Sequence, residues 1–207
     1  MAWMGLVGVL RAVFVPFAFY YLKEPLKLVF SYDEEIGCVG LQETIDRLKP
    51  LLGTPRACII GEPTGMQVAT GHKGKMALRA SCNGESGHSS LAPQFVNALH
   101  MATDFVTELR MVQDWYRQHG AQNPAYDIPY STVHVGLMRA GLALNIVPDQ
   151  AELTFEFRHL DADPPERFMD QIREAADFVA GRYRPQFPEA AITLERINAY
   201  PGLDMAG

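Results

Sequence analysis

From Gly71 to Ala199 the spacing of apolar residues switches between a period of two and one of about 3.6. The order is strand, helix, strand, strand, helix, strand. "KGKMALRASCNG" alternates Met76, Leu78, Ala80 and Cys82 with Lys75, Ala77, Arg79 and Ser81, a strand with one wet face. Pro93 then opens a long amphipathic helix striped by Phe95, Leu99, Ala102, Phe105, Val106, Leu109 and Val112. "AQNPAYDIPY" reads as a loop, and "STVHVGLM" and "AELTFEFRHL" as two strands joined by "RAGLALNIVPDQ". The second of these sets Leu153, Phe155 and Phe157 on one face against Glu152, Thr154, Glu156 and Arg158 on the other. "DPPERFMDQIREAADFVAGRY" is the second helix, with Asp163 as its cap, prolines in its first turn and Glu166 where a capping box wants an acid. "AAITLERINA" closes the series as a strand. This order is the split βαβ, ferredoxin-like plan: a four-stranded antiparallel sheet carrying two helices on one face.

The residues before Gly71 follow another rule. "LKLVFSY" (26–32) and "RACIIGE" (56–62) are short apolar runs of the kind buried on both faces of a sheet. Between them "LQETIDRLKPLL" (41–52) has helical spacing and ends at Gly53. The opening "MAWMGLVGVLRAVFVPFAFYY" reads as a buried helix. It has no basic region ahead of the apolar run, as an export signal would, and Arg11 near its centre argues against a membrane span. The fold class expected is therefore an α/β catalytic-domain fragment, incomplete because two strands cannot close a sheet, followed by an α+β ferredoxin-like domain. The boundaries are 1–70, 71–199, and 200–207 as the start of a return to the first domain. The net charge of −6 gives no support to nucleic-acid binding, and no membrane partner is expected. Three cysteines without metal-ligand spacing read as reduced, semi-buried residues of a cytoplasmic protein.

Three acids, Asp33, Glu34 and Glu35, follow the first apolar strand directly, and Glu62 follows the second. Ligands of open α/β sheets gather beyond the carboxyl ends of strands. Divalent cations take carboxylate oxygens, and a second acid beside the ligands suits a general base. Spacing alone does not separate such a cradle from ordinary solvated loop acids. Of the other polar residues, His72 reads as a hinge marker, Lys73 and Lys75 as solvated, and His100, His119 and His134 as structural or solvent-facing.

The chain also carries "LVFSYDEEIGCVG", "CIIGEPTG", "GHKG", "GESGHSSLAP" with "VNAL", and "NIVPDQAELTFEFR" in one order. In these five linked motifs it resembles the dinuclear metal-dependent deacylases, a family that includes acetylornithine deacetylase, succinyl-diaminopimelate desuccinylase, aminoacylase and glutamate carboxypeptidase. The first two motifs look most like the acetylornithine deacetylase branch. The resemblance runs from about Leu26 to Asp204. It implies Glu34 as the general base that takes a proton from a metal-bridging water, and Glu35 and Glu62 as metal ligands, one to each of two ions, zinc or cobalt. It implies that His88 is lent across a dimer to hold the developing oxyanion, and that Asn145 and Arg158 contact the substrate carboxylate. The 71–199 segment corresponds to the family's lid, which pairs with its twin through an edge strand and a helix.

The activity implied is hydrolysis of an N-acyl amino acid, N-acetyl-ornithine to ornithine and acetate, in amino-acid (arginine) biosynthesis. A desuccinylase, aminoacylase or carboxypeptidase of the same family is the near alternative. The family's remaining metal ligands fall upstream and downstream of the matched stretch, so this chain by itself is expected to be inactive. A non-catalytic dimerisation module is the second reading.

Overall fold

The computed structural model describes residues 25–31 and 39–204, which fall into two compact units dividing between Glu62 and Pro63. The apolar opening and the acids Asp33, Glu34 and Glu35 lie outside the described residues.

In the first unit, α1 spans Val39–Leu52. Gly53 ends it as expected, taking a left-handed φ of 65° while its amide donates to the Lys49 carbonyl at 2.9 Å. The Lys27 ammonium donates to the last carbonyls of the helix, Leu51 at 2.8 Å and Leu52 at 2.7 Å, where a cation also complements the helix dipole. The two expected strands are not found. Residues 25–31 and 56–62 join no ladder, and Ile59 is 94% exposed. A strand buried on both faces needs neighbours along both edges, and the described residues supply none.

The second unit follows the predicted order. Strands β2 (Gly74–Asn83), β4 (Thr132–Ala140), β6 (Gln150–His159) and β7 (Ala191–Tyr200) form one antiparallel sheet in the order β4-β6-β2-β7. Helices α2 (Ala98–His119) and α3 (Pro165–Tyr183) cover one face. The alternation places Met76, Leu78, Ala80 and Cys82 of β2, and Leu153, Phe155 and Phe157 of β6, in the core. Phe157 stacks on Phe168 of α3 with ring centres 4.1 Å apart, and Tyr116 of α2 leans on it at 4.9 Å. Burying each such ring stabilises the fold by about 1.5–3 kcal/mol.

Short pairs complete the unit. β1 (Gly71–His72) pairs with β8 (Leu203–Asp204), and β3 (Gly87–His88) with β5 (Ile146–Val147). Both edge strands are bulged: the register skips Gly136 in β4 and Ile197 in β7. The first bulge turns Leu137 out with Thr154 onto the solvent face, where it is 57% exposed. No helix of the described residues is long and apolar enough to cross a membrane.

Three local expectations need correction. Helix α2 does not open at Pro93, which sits in a 3-10 segment, Ser89–Gln94. Its cap is Asn97, whose Oδ1 accepts from the amides of Leu99 and His100 at 2.9 and 3.3 Å, a role that asparagine fills well. Cys58 is exposed rather than semi-buried, while burial pushes the Cys82 thiol up to about 12; Cys38 lies outside the described residues. Asp163 does not cap α3, whose N-cap is Pro164 without a side-chain bond.

Asp163 is instead 1% exposed and serves the tertiary structure. It accepts from the Ala121 amide at 3.0 Å and from the Ser131 hydroxyl, which in turn accepts from the Leu160 amide at 3.0 Å. One carboxylate thus ties the loop after α2, the start of β4, the end of β6 and the start of α3. Asp163→Ala leaves one buried and one half-buried donor unmatched and is expected to lower stability by about 1–3 kcal/mol. Asp163→Asn, which keeps one acceptor, should lose less. Urea unfolding of the two variants tests this order.

Candidate functional site

The residues singled out in the sequence fall into three places. Glu62 is exposed at the end of the first unit. Glu34 and Glu35 lie outside the described residues, and among the described residues no three metal-ligating side chains gather. By themselves, the described residues do not fit a metal centre.

His88 and Asn145 are brought together by the β3–β5 pairing. His88 faces Ile146 in the ladder, and the Ser89 amide donates to the Asn145 carbonyl at 3.0 Å. Both side chains are exposed. Gly87 precedes the histidine because a Cβ there would lie 2.1 Å from the Phe95 ring. The His88 Nδ1 accepts from the Ser90 amide at 3.2 Å and meets the Ser90 hydroxyl at 2.8 Å. An amide only donates, so the neutral ring carries its proton on Nε2. That leaves an N–H donor on the far side of an exposed ring, which is what an oxyanion-holding histidine needs.

Arg158 stands at the other end of the sheet, on the face away from the helices. In the ladder it opposes Lys75, whereas Gln150 opposes Asn83. The β3–β5 pair is tied to the Asn83 end, where the Gly84 amide donates to the Asp149 carbonyl at 2.7 Å. The eight strand steps from Lys75 to Asn83 span roughly 26 Å. Within one chain, then, Arg158 and the His88–Asn145 pair are a strand length apart.

Arg158 is not alone. Its Nε donates to Glu156 Oε1 at 3.0 Å and its Nη2 to Glu156 Oε2 at 3.4 Å, while Nη1 donates to the Tyr200 hydroxyl at 3.2 Å. Lys75 Nζ lies 3.6 Å from Glu156 Oε2. Burial works against the Glu156 carboxylate, but the Arg158 fork and the Lys75 charge outweigh it and hold its carboxyl below the usual range. Burial likewise opposes the Arg158 charge, and Glu156 and Tyr200 more than restore it. Sequence reasoning missed Lys75, Glu156 and Tyr200. The alternation of β6 could have flagged Glu156, two residues from Arg158 on one face; Lys75 and Tyr200 depend on register across strands.

Lys73 also departs from expectation. It is not solvated: its ammonium donates to the Ile128 carbonyl at 2.8 Å and to the Tyr130 carbonyl, and lies 5.6 Å from the centre of the Tyr126 ring. Burial lowers its pKa. It pins the loop before β4. His72, in β1, meets the Tyr200 ring edge-on at 6.3 Å.

Comparison with known proteins places the chain in a family. The chain is 30% identical over 177 residues to the acetylornithine deacetylase of Myxococcus xanthus, covering 86% of this chain and 45% of that protein. It is 29% identical over 182 residues to a probable carboxypeptidase of Aspergillus terreus, covering 87% and 41%. The chain thus spans less than half the length of these curated relatives. Among solved structures, an aminobenzoyl-glutamate utilization protein from Klebsiella pneumoniae superposes with a TM-score of 0.50 at 22% identity, over 64% of this chain and 30% of the other. The aminopeptidase PepT of Bacillus cereus does so at 0.50 and 20% identity, over 67% and 32%. These two likenesses speak for the fold alone. The model of the peptidase dimerisation domain matches residues 70–184, more than half the chain, a stretch that takes in both helices, strands β2, β4 and β6, and His88, Asn145 and Arg158. By this match the chain belongs to the M20 family of peptidases and amidases, of which residues 70–184 are the dimerisation domain.

Proposed function

We propose that this chain is the lid-bearing part of a cytoplasmic, metal-dependent amidohydrolase that removes an acyl group from an N-acyl amino acid, N-acetyl-ornithine first among candidates. The observation that carries this reading is the separation of Arg158 from His88 and Asn145 on one lid. A substrate touched by all three must meet residues of two copies, as a dimerising deacylase requires. A guanidinium suits the carboxylate of an amino acid, and the Nε2–H of His88 suits the oxygen of the acyl carbonyl. In this reading Glu35 and Glu62 would hold the zinc or cobalt, which would supply Lewis-acid chemistry when bound, and Glu34 would be the base. The relatives named acetylornithine deacetylase support the acyl group, while the probable carboxypeptidase of Aspergillus terreus keeps a peptide substrate as the alternative.

Metal binding tests the assignment of the acids. Zinc or cobalt titrated into the chain by calorimetry should show uptake that Glu35→Ala with Glu62→Ala weakens about tenfold or more, ~1.4 kcal/mol. Uptake indifferent to the pair removes these ligands from the mechanism. Any release of ornithine from N-acetyl-ornithine should need the metal and disappear in Glu34→Gln; turnover that survives either change excludes the reaction proposed.

Dimerisation has its own test. The outer edge of β4 is unpaired among the described residues, and Leu137 on that strand and Met111 on α2 are exposed apolar side chains (57% and 55%). Sedimentation should find a dimer for the chain and a monomer for Leu137→Glu with Met111→Glu. A dimer unaffected by both changes would place the contact elsewhere.

A further inference from the structure

The Arg158 cluster holds more than a single guanidinium. Lys75 and Arg158 bring two cations to one carboxylate, Glu156, which is the only acid paired with Arg158 among the described residues. The cluster is therefore one negative charge short. Its cost is real because all three side chains are partly buried, Glu156 at 27% and Lys75 at 22% exposure. A guanidinium has five donors. Glu156 takes Nε–H and one on Nη2, and Tyr200 takes one on Nη1, so one donor remains on each terminal nitrogen.

We propose that Glu156 and Tyr200 are positioning residues that hold the Arg158 guanidinium in one plane, with its two unused donors presented to an incoming carboxylate, and that Lys75 leaves the cluster a net cation to receive it. This rests on the acyl-amino-acid reading for the identity of the ligand, but not for the existence of the carboxylate site. Glu156 occupies the side edge of the guanidinium, and the ligand would take the end edge, so the two acids do not compete. The groups facing the cluster from neighbouring strands add no second acid: His134 opposes Glu156 from β4, Thr132 opposes Arg158, and Tyr200 opposes Lys75 from β7. The alternative is that Glu156 is a stand-in for the substrate carboxylate that must leave before substrate binds. The two predict opposite effects of removing it.

The test is the Arg158 Nε–Hε resonance in nitrogen-15 spectra of the whole chain, identified by its loss in Arg158→Lys, with acetate as the first probe. In the unaltered chain a held, slowly exchanging signal should shift as acetate is added without moving to the free-arginine position. Glu156→Ala should broaden that signal and weaken acetate binding about tenfold, the cost of an unpositioned fork. Glu156→Gln, whose amide oxygen still accepts from Nε, should restore most of the binding, and Tyr200→Phe should lose less than Glu156→Ala. Glu156 lies on the solvent face, and unchanged core resonances of Leu153 and Phe155 check that each variant is folded.

Equal or tighter acetate binding by Glu156→Ala overturns the proposal in favour of competition. So does a move of the unaltered chain's signal to the free-arginine position, and an Arg158 signal indifferent to acetate removes the site. N-acetyl-ornithine and N-acetylputrescine, which lacks the carboxylate, are then compared. If acetate binds as described but N-acetyl-ornithine binds no better than acetate, the substrate reading fails and the carboxylate site stands.

Discussion

The period of two in "LTFEFR" is the constraint on which both the stability and the chemistry of this lid depend. A strand sends successive side chains to opposite faces. Phe155 and Phe157 are thereby committed to the core, where Phe157 meets the Phe168 and Tyr116 rings, which also meet each other. The same step commits Glu156 and Arg158 to the open face. A slip of one residue would bury the ion pair and expose the two rings, a cost of several kcal/mol for each ion and about 1.5–3 kcal/mol for each ring. The register of Arg158 is therefore guaranteed by aromatic packing on the other side of the strand.

Strand length then decides what one lid can do alone. Ten residues of β6 separate the turn that carries Asn145 from the end that carries Arg158. His88 is held at the Asn145 end by the β3–β5 pairing, with its Nε2 proton directed away from Ser90. In the proposed reading the His88–Asn145 pair and Arg158 are two halves of one binding surface, and at opposite ends of a sheet they cannot meet by side-chain motion. They can meet only across copies, and so dimerisation belongs to the chemistry proposed.

Asp163 shows how local rules are overridden. An aspartate two residues before Pro165 reads as a helix cap, and its carboxylate does satisfy orphan donors, but those of Ala121 and Ser131. Pro164 and Pro165 have no amide hydrogens to cap, so the carboxylate is free to bond elsewhere. Buried at the meeting of four elements, it serves loop positions far away in sequence. Lys73 does likewise, leaving solvent for two carbonyls of the loop before β4.

What the sequence determined by itself is the β-α-β-β-α-β order and the core faces of β2 and β6, because periodicity, proline and glycine placement, and local motifs act within a few residues; the stripe read for α2 is buried at Ala102, Phe105 and Leu109 but misses Ala98, Met101 and Tyr116. The strands expected at 26–32 and 56–62 were not legible in the same sense, since a strand is defined by neighbours and the described residues offer none there. Only the tertiary structure decided that Lys75 and Tyr200 flank Arg158, that the edge bulges turn Leu137 outward, and that Arg158 and His88 stand a strand length apart. Each of these depends on which residue faces which across a ladder. Register is the sum of core packing over the whole sheet, and no single segment contains it.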